Sequence, residues 1–200
     1  MSSLGRAGRS SGKGQPHVVA VCGSRREASY TRRALHEALV GVEAAGSTTE
    51  LLDLAELDLP PLDPDVDGAG DGDVVRRTIR EADAVILGTP MYHGSYSGVL
   101  KNALDYCGFD EFENTTVGLL VVSSGPFPTP ALTHLRNVCR SLHAWVLPYQ
   151  AGVPQARTAF DDDEFVDEDL RERVRTLGVR AVEYAAIEPV ETRAAQLQEV

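Results

Sequence analysis

Aromatic, hydroxyl and glycine residues are concentrated in one short segment, TPMYHGSYSG, at residues 89–98. Tyr92, His93 and Tyr96 supply flat faces, and Gly94 allows the backbone to approach a ligand closely. These residue types suit a planar ring that lies against backbone amides. The alternative for His93 is a loop imidazole without a chemical role. Because no second histidine lies at metal-ligand spacing, we predict no metal site.

A second polar segment, CGSRREASYTRR, also carries groups that bind anions. Hydroxyls come from Ser24, Ser29 and Thr31, and N–H donors come from Arg25 and Arg26. A helix that begins here adds backbone N–H groups and the positive end of its dipole, so the segment suits a terminal phosphate. It matches neither GxGxxG nor GxxxxGK[ST], which argues against a dinucleotide or a nucleoside triphosphate at this place. The alternative is Ser29 as a plain N-cap beside solvated arginines.

Each of these segments follows a short apolar run that is typical of a buried strand, and such runs alternate with helical patterns. Strands are predicted at residues 17–22, 48–54, 84–88, 117–122 and 144–147, and helices at residues 29–45, 74–81, 97–106, 130–142 and 167–186. The alternation predicts an α/β fold, with a parallel sheet between two helical layers. Ligands in such sheets bind outside the carboxyl ends of the strands, which points to the loops after the first, third and fourth strands. The Pro/Gly/Asp-rich stretch at residues 56–73 is predicted to be a solvated loop, or else a lid.

The surface charge limits the classes of partner. The net charge is −11, with 30 acidic and 19 basic residues, and Lys13 and Lys101 are the two lysines. Such a surface repels nucleic acid phosphates and anionic lipid, so we expect no nucleic acid and no membrane as partner. The composition also suggests an acidic, halophile-like surface, which unfolding curves at low and molar salt would test. An ordinary acidic cytosolic protein is the alternative.

The cysteine pattern predicts a cytoplasmic protein, and the composition of the two ends of the chain predicts tails on either side of one folded domain. Cys22, Cys107 and Cys139 form no CxxC pair and are odd in number, so we predict buried thiols rather than a disulfide framework. No stretch approaches 18 uninterrupted apolar residues, so no membrane span is expected. We predict a disordered N-terminal tail at residues 1–16, one domain at 17–187 and a polar tail at 188–200.

The two polar segments together resemble the NADPH-dependent FMN reductase family of flavodoxin-like proteins. That family reads GSxRxxS after its first strand and PxYxxSxSGxLKNxxD after its third. The matching residues are Gly23, Ser24, Arg26 and Ser29 in the first motif, and Pro90, Tyr92, Ser95, Ser97, Gly98, Leu100, Lys101, Asn102 and Asp105 in the second. The second match is long and specific, and the resemblance covers roughly residues 17–154.

The resemblance implies a flavodoxin-like three-layer sandwich, with a five-stranded parallel sheet of order 2-1-3-4-5. The resemblance also implies that residues 17–187 form an FMN-binding domain. The implied phosphate-binding residues are Ser24, Arg26, Ser29 and Thr31. The implied ring contacts are Pro90, Met91, Tyr92, His93, Gly94 and Ser95, and the loop after the fourth strand adds Ser123, Ser124 and Gly125 beside the ring.

One stretch departs from the family pattern. The loop VSSGPFPTP carries Pro126, Pro128 and Pro130 where the family usually has a second glycine. Proline removes backbone N–H donors that the polar edge of a flavin ring could use. Either the ring is held differently, or the nicotinamide side of the pocket is altered. The alternative is a rigid loop that starts a helix.

The implied function is an FMN-dependent NAD(P)H oxidoreductase. A hydride would pass from NADPH or NADH to the flavin and then to a small-molecule electron acceptor, such as a flavin, a quinone or an azo dye. This cycle requires no dedicated acid or base, so no catalytic side chain is predicted. The resemblance also implies a homodimer or homotetramer. The alternatives are a flavodoxin-like electron carrier without nicotinamide activity and a scaffold that has lost its cofactor.

Overall fold

The computed structural model describes residues 14–66, 68, 70–185 and 187. Most of the predicted N-terminal tail and all of the predicted C-terminal tail lie outside the described residues. The central element is a parallel sheet of order β2-β1-β3-β4-β5, which confirms the predicted fold. Its strands are β1 (His17–Cys22), β2 (Thr48–Asp53), β3 (Ala84–Pro90), β4 (Thr116–Val122) and β5 (Trp145–Val153).

Helices cover both faces of this sheet. They are α1 (Tyr30–Ala44), α2 (Gly72–Glu81), α3 (Gly98–Asp105), α4 (Phe109–Phe112), α5 (Thr129–Ser141), α6 (Ala156–Ala159) and α7 (Glu168–Glu183). Helices α1 and α7 pack on one face, and α2, α3 and α5 pack on the other. Because both faces are covered, β3 and β4 are buried almost throughout, as in other parallel sheets. None of the described helices is long and apolar enough to cross a membrane.

Glycines let α1 and α7 pack unusually close together. A Cβ atom at Gly178 would lie 1.9 Å from the carbonyl oxygen of Ala38, and one at Gly41 would lie 2.2 Å from that of Arg175. The Arg175 guanidinium also donates a hydrogen bond to Glu37, which links the two helices at their rim. The position of α1 on the sheet is therefore fixed by backbone contact.

Strand β5 is longer than predicted. The prediction ended it at residue 147, before Pro148, but the strand continues to Val153. Strand β5 is at the edge of the sheet, and its pairing with β4 shifts register between Val117 and Leu119. An edge strand with a bulge tolerates a proline because the missing N–H leaves no ladder bond unmade. Strand β3 likewise continues two residues beyond its predicted end, to Pro90.

The acidic stretch after α6 forms a small hairpin that the sequence did not predict. Strand β6 (Phe160–Asp161) pairs antiparallel with β7 (Glu164–Phe165). Phe160 packs between Phe165 and Tyr30, at ring-centroid distances of 4.3 and 5.4 Å. The hairpin is thereby held against the start of α1. The short helices α4 and α6 were also not predicted.

Candidate functional site

Three loops meet at the carboxyl edge of the sheet, because β1, β3 and β4 are neighbours. They follow Cys22, Pro90 and Val122. The N–H of Gly23 donates to the carbonyl of Gly88 at 2.8 Å, and that of Met91 donates to Val122 at 2.8 Å. Each loop thus begins as a continuation of the sheet ladder, which fixes where its side chains start.

Buried Ser97 joins the first two loops. Its N–H donates to the Thr89 hydroxyl at 2.9 Å, and its own hydroxyl donates to the carbonyl of Gly23 at 2.6 Å. The same oxygen accepts from the N–H of Leu100 at 3.1 Å, which makes Ser97 the N-cap of α3. No local pattern indicates the contact with Gly23, because the two residues are 74 positions apart along the chain.

The loop after β1 brings hydroxyls to the start of α1. Ser24, Ser29 and Thr31 are all buried. Ser29 accepts from the N–H of Arg32 at 3.2 Å and is the N-cap of α1, which was the alternative given for this residue. Hydroxyls beside a helix N-terminus form a site that favours an anion, so this loop fits a phosphate.

The arginines of this region differ in their surroundings. Arg32 binds Asp53, and this hydrogen bond raises the pKa of its guanidinium further above the ordinary value. Arg26 is exposed, with its guanidinium carbon 5.8 Å from the centroid of the Tyr30 ring. Arg25 is exposed as well. Arg25 and Arg26 are therefore the cations of this loop that remain accessible to a ligand.

The loop after β3 folds into a tight turn. Tyr92 and Ser95 exchange two backbone hydrogen bonds of 2.9 and 3.0 Å. His93 and Gly94, the two central residues, have φ angles of +50° and +82°, as a type I′ turn requires. The turn leaves Tyr92 55% exposed at the rim of the edge. A planar ligand can therefore meet a fixed backbone with an aromatic side chain beside it.

His134 is a residue of this region that sequence reasoning missed. It lies on α5, and its Nδ1 is 3.1 Å from the hydroxyl of Ser95. It ties the turn after β3 to α5. No motif marks it, because its partner is 39 residues away along the chain.

The loop after β4 is held by its own hydrogen bonds. The Ser123 hydroxyl donates to the carbonyl of Gly125 at 2.7 Å, and the same carbonyl accepts from the N–H of Gln155 at 3.0 Å. Ser123 is buried, whereas Ser124 is exposed. Of the two predicted hydroxyls, Ser124 is the one that faces solvent.

The prolines of this loop have a structural role. Pro128 is the N-cap of α5, and Pro130 follows in its first turn. A Cβ atom at Gly152 would lie 2.6 Å from Pro128 Cγ, so this proline packs directly on β5. The interpretation as a rigid loop that starts a helix therefore fits Pro128 and Pro130. Pro126 is exposed before them.

Open space beside the backbone leaves room for a flat ligand at this edge. A Cβ atom added at Gly94, Gly98 or Gly125 would have no heavy atom within 4 Å. One of these glycines lies in the turn after β3, one at the start of α3 and one in the loop after β4. Together with the hydroxyls at the start of α1, this arrangement fits FMN, which carries a phosphate at one end and a planar ring at the other.

Comparison with known proteins identifies the family. A family model described as NADPH-dependent FMN reductase matches residues 16–158. The chain is 40% identical over 139 residues to the FMN-dependent NADPH-azoreductase of Staphylococcus saprophyticus, which covers 65% of the chain and 72% of that relative. It is also 40% identical over 120 residues to the FMN-dependent NADPH-azoreductase of Staphylococcus aureus, which covers 57% of the chain and 64% of that relative.

A solved structure supports the same fold. The chain is similar to the flavoenzyme NAD(P)H:(acceptor) oxidoreductase FerB from Paracoccus denitrificans, with a TM-score of 0.71. The identity is 22%, and the likeness covers 85% of this chain and 97% of the other. The family model spans more than half of the chain, including both polar motifs. The chain therefore belongs to the NADPH-dependent FMN reductase family.

Proposed function

We propose that the protein is an FMN-dependent NADPH oxidoreductase that passes electrons to a small planar acceptor. The main support is the carboxyl edge of the sheet, where a hydroxyl-lined helix start and an open, glycine-containing turn are joined through buried Ser97. The helix start suits a phosphate and the turn suits a ring. FMN carries both groups on one molecule.

The phosphate of FMN is assigned to the loop after β1. The proposed ligands are Ser24, Arg26, Ser29 and Thr31. The Tyr30 ring lies beside the Arg26 guanidinium and limits its freedom, so less entropy is lost when a phosphate binds. A guanidinium–phosphate contact is a charge-assisted hydrogen bond, which makes Arg26 the largest single contributor expected here.

The ring of FMN is assigned to the turn after β3, with the loop after β4 at its border. The proposed contacts are Pro90, Met91, Tyr92, His93, Gly94 and Ser95, with Ser123, Ser124 and Gly125 beside them. When bound, FMN supplies hydride transfer from the nicotinamide and onward transfer to the acceptor. The chain supplies position, because the turn is closed by two backbone bonds and anchored to α5 through His134.

No side chain at this edge is proposed as an acid, a base or a nucleophile. Cys22 is the nearest thiol, at the end of β1 and beside Ser29, and burial raises its pKa to about 11. It therefore stays protonated at neutral pH and cannot act as a thiolate. The residues of the chain are proposed to bind and orient the cofactor.

The acceptor is proposed to be a planar conjugated molecule: an azo compound, a quinone or a free flavin. Two relatives that are 40% identical are named as azoreductases, which supports the azo compound. Exposed Tyr92 offers an aromatic face at the rim, against which a planar acceptor can stack.

We further propose a cytoplasmic homodimer or homotetramer with one flavin-binding domain at residues 17–187. The cytoplasm is supported by the cysteines, since Cys22, Cys107 and Cys139 are all free. Cys22 and Cys139 are buried as predicted, whereas Cys107 is only partly buried. Light scattering on the purified protein would distinguish a dimer from a tetramer.

Anaerobic reduction tests the proposed function. The protein is purified in high salt, its visible spectrum is taken, and NADPH is then added without oxygen. We expect flavin bands at roughly 370 and 450 nm that bleach with NADPH and recover when an azo dye or a quinone is added. Bands that persist with both NADPH and NADH would indicate an electron carrier. A preparation that stays colourless after addition of FMN would contradict flavin binding.

A further inference from the structure

A groove of about 450 Å³ runs along α3, from Gly98 to Asp105, next to the proposed flavin site. Leu59 and Pro61 form an apolar wall, Arg25 and Lys101 place two cations at the groove, and Asp105 adds a carboxylate. Small-molecule sites have volumes of about 300–1,000 Å³ and combine apolar walls with a few charged groups. The groove therefore has the size and composition of a ligand subsite.

Arg25 is an exposed cation beside this groove that has no other proposed role. Of the three nearby arginines, Arg26 is assigned to the FMN phosphate, and Arg32 and Arg33 each bind a carboxylate. Within the described ranges, no hydrogen bond or ion pair joins Arg25 to another residue. An exposed guanidinium of this kind can offer its full fork of donors to a phosphate.

Lys101 is a second cation that a phosphate can recruit. It is the one lysine in the part of the chain that the structure describes, and it pairs with Asp105 one turn along α3. Exposed pairs of this spacing contribute little to stability. A phosphate dianion can therefore compete with Asp105 for the ammonium group.

The apolar wall is fixed in place by Asn102. The amide nitrogen of Asn102 donates to the carbonyls of Leu59 and Pro60 at 3.2 and 2.9 Å, and its oxygen accepts from the N–H of Leu62 at 3.0 Å. The beginning of the Pro/Asp-rich loop is thus held on α3. A groove that keeps its shape without a ligand loses less entropy on binding.

The groove and the flavin loops share one structural element, the start of α3. Gly98 lines the groove and directly follows Ser97, whose hydroxyl binds Gly23 in the loop after β1. One extended molecule can therefore reach both places. NADPH is such a molecule, with its nicotinamide at one end and its phosphorylated adenosine at the other.

We propose that this groove binds the 2′-phosphate of NADPH through Arg25 and Lys101, with the adenine against Leu59 and Pro61. This inference rests on the proposed function, and it adds the side chains that would distinguish NADPH from NADH. NADH has a hydroxyl at the 2′ position and lacks these charge-assisted contacts. The groove therefore gives the preference for NADPH over NADH.

Substitution of Arg25 tests this assignment. In FMN-loaded protein, Arg25→Ala should lower kcat/KM for NADPH by roughly 10- to 100-fold, the usual effect of losing a charge-assisted hydrogen bond. The value for NADH should change less than about twofold, because NADH has no 2′-phosphate. Asp105→Asn frees Lys101 and should raise the preference for NADPH. Arg140→Ala removes an exposed arginine in the last turn of α5 and serves as the matched control.

Three results would overturn the proposal. The first is an equal loss with NADPH and NADH, and the second is no loss with either. The third is weaker FMN binding by Arg25→Ala in a fluorescence titration, which would place Arg25 on the flavin phosphate instead.

A binding measurement separates this inference from the proposed function. Calorimetry compares adenosine 2′,5′-bisphosphate with adenosine 5′-monophosphate, and we expect tighter binding of the bisphosphate that is lost in Arg25→Ala. If the bisphosphate binds in this way but NADPH bleaches no flavin, the groove stands and the reductase function fails. If NADPH bleaches the flavin but the two probes bind equally, the groove fails and the function stands.

Discussion

Glycines serve opposite purposes in two regions of this molecule. Between α1 and α7, a Cβ atom at Gly41 or Gly178 would lie within about 2 Å of a backbone carbonyl of the other helix. At the carboxyl edge of the sheet, a Cβ atom at Gly94, Gly98 or Gly125 would meet no heavy atom within 4 Å. The first region is closed by contact within the protein, and the second is left open.

The comparison of these two groups of glycines distinguishes residues that stabilise the fold from residues that leave room for a ligand. Close contact with α7 sets the position of α1, and α1 carries Ser29 at its start. Among the open glycines, Gly94 is required by its φ of +82° in the turn after β3, whereas Gly98 and Gly125 have no such requirement and leave room for a ligand. Substitutions in the first region should change stability, and those in the second should change binding.

Gly178→Ala should have the largest effect of the substitutions considered. Alanine is a better helix former by about 1 kcal/mol, but its Cβ would lie 1.9 Å from the carbonyl of Ala38. Because the backbone of α1 cannot shift without disturbing its packing on the sheet, the overpacking should lower the free energy of unfolding by about 3 kcal/mol or more. Urea unfolding followed by circular dichroism measures this loss. A loss below about 1 kcal/mol would show that the helices can separate freely, and the contrast between the regions would disappear.

Local patterns predicted part of the fold. The alternation of strands and helices, with right-handed crossovers, predicted a parallel sheet between two helical layers. The strand order came from the resemblance to a known family rather than from the pattern. The N-caps at Ser29 and Ser97 are contacts within one helical turn, which is the kind of contact that a local pattern can indicate.

Several contacts at the site that sequence reasoning missed are between residues far apart along the chain. His134 meets Ser95 across 39 positions, and Asn102 holds Pro60 across 42. Strand β5 passes Pro148 because it is at the sheet edge, a fact that only the assembled sheet reveals. Nothing in the local pattern encodes such pairs, so the details of the site could not be predicted although its location could.

Arg26→Ala tests whether a positive charge in the open region binds the phosphate of FMN. If Arg26 binds the phosphate of FMN, its loss should weaken FMN binding by roughly 1.5–3 kcal/mol. Stability without FMN should change by less than about 0.5 kcal/mol, because the side chain is exposed. Quenching of flavin fluorescence during titration gives the affinity, and Arg140→Ala provides a control of equal charge. Unchanged affinity would mean that Arg26 does not touch the phosphate.

Gly98→Ala makes the comparison sharpest, because the same chemical change as Gly178→Ala is placed in open space. Residue 98 is the first residue of α3, and its φ is outside the left-handed region. Alanine should therefore raise the free energy of unfolding by about 0.4–1 kcal/mol, through a smaller loss of backbone entropy on folding. The added methyl group would project into the groove beside the flavin loops and should weaken nucleotide binding.

The two glycine variants should thus move stability in opposite directions. Paired urea curves measure this difference, and calorimetry with adenosine 2′,5′-bisphosphate measures binding by the Gly98→Ala protein. Lower stability of Gly98→Ala would show that the start of α3 is as tightly packed as the α1–α7 contact. Higher stability with full binding would show that the open space beside Gly98 is not used by the nucleotide. Higher stability with weaker binding is the result expected of a position kept small for a ligand rather than for the fold.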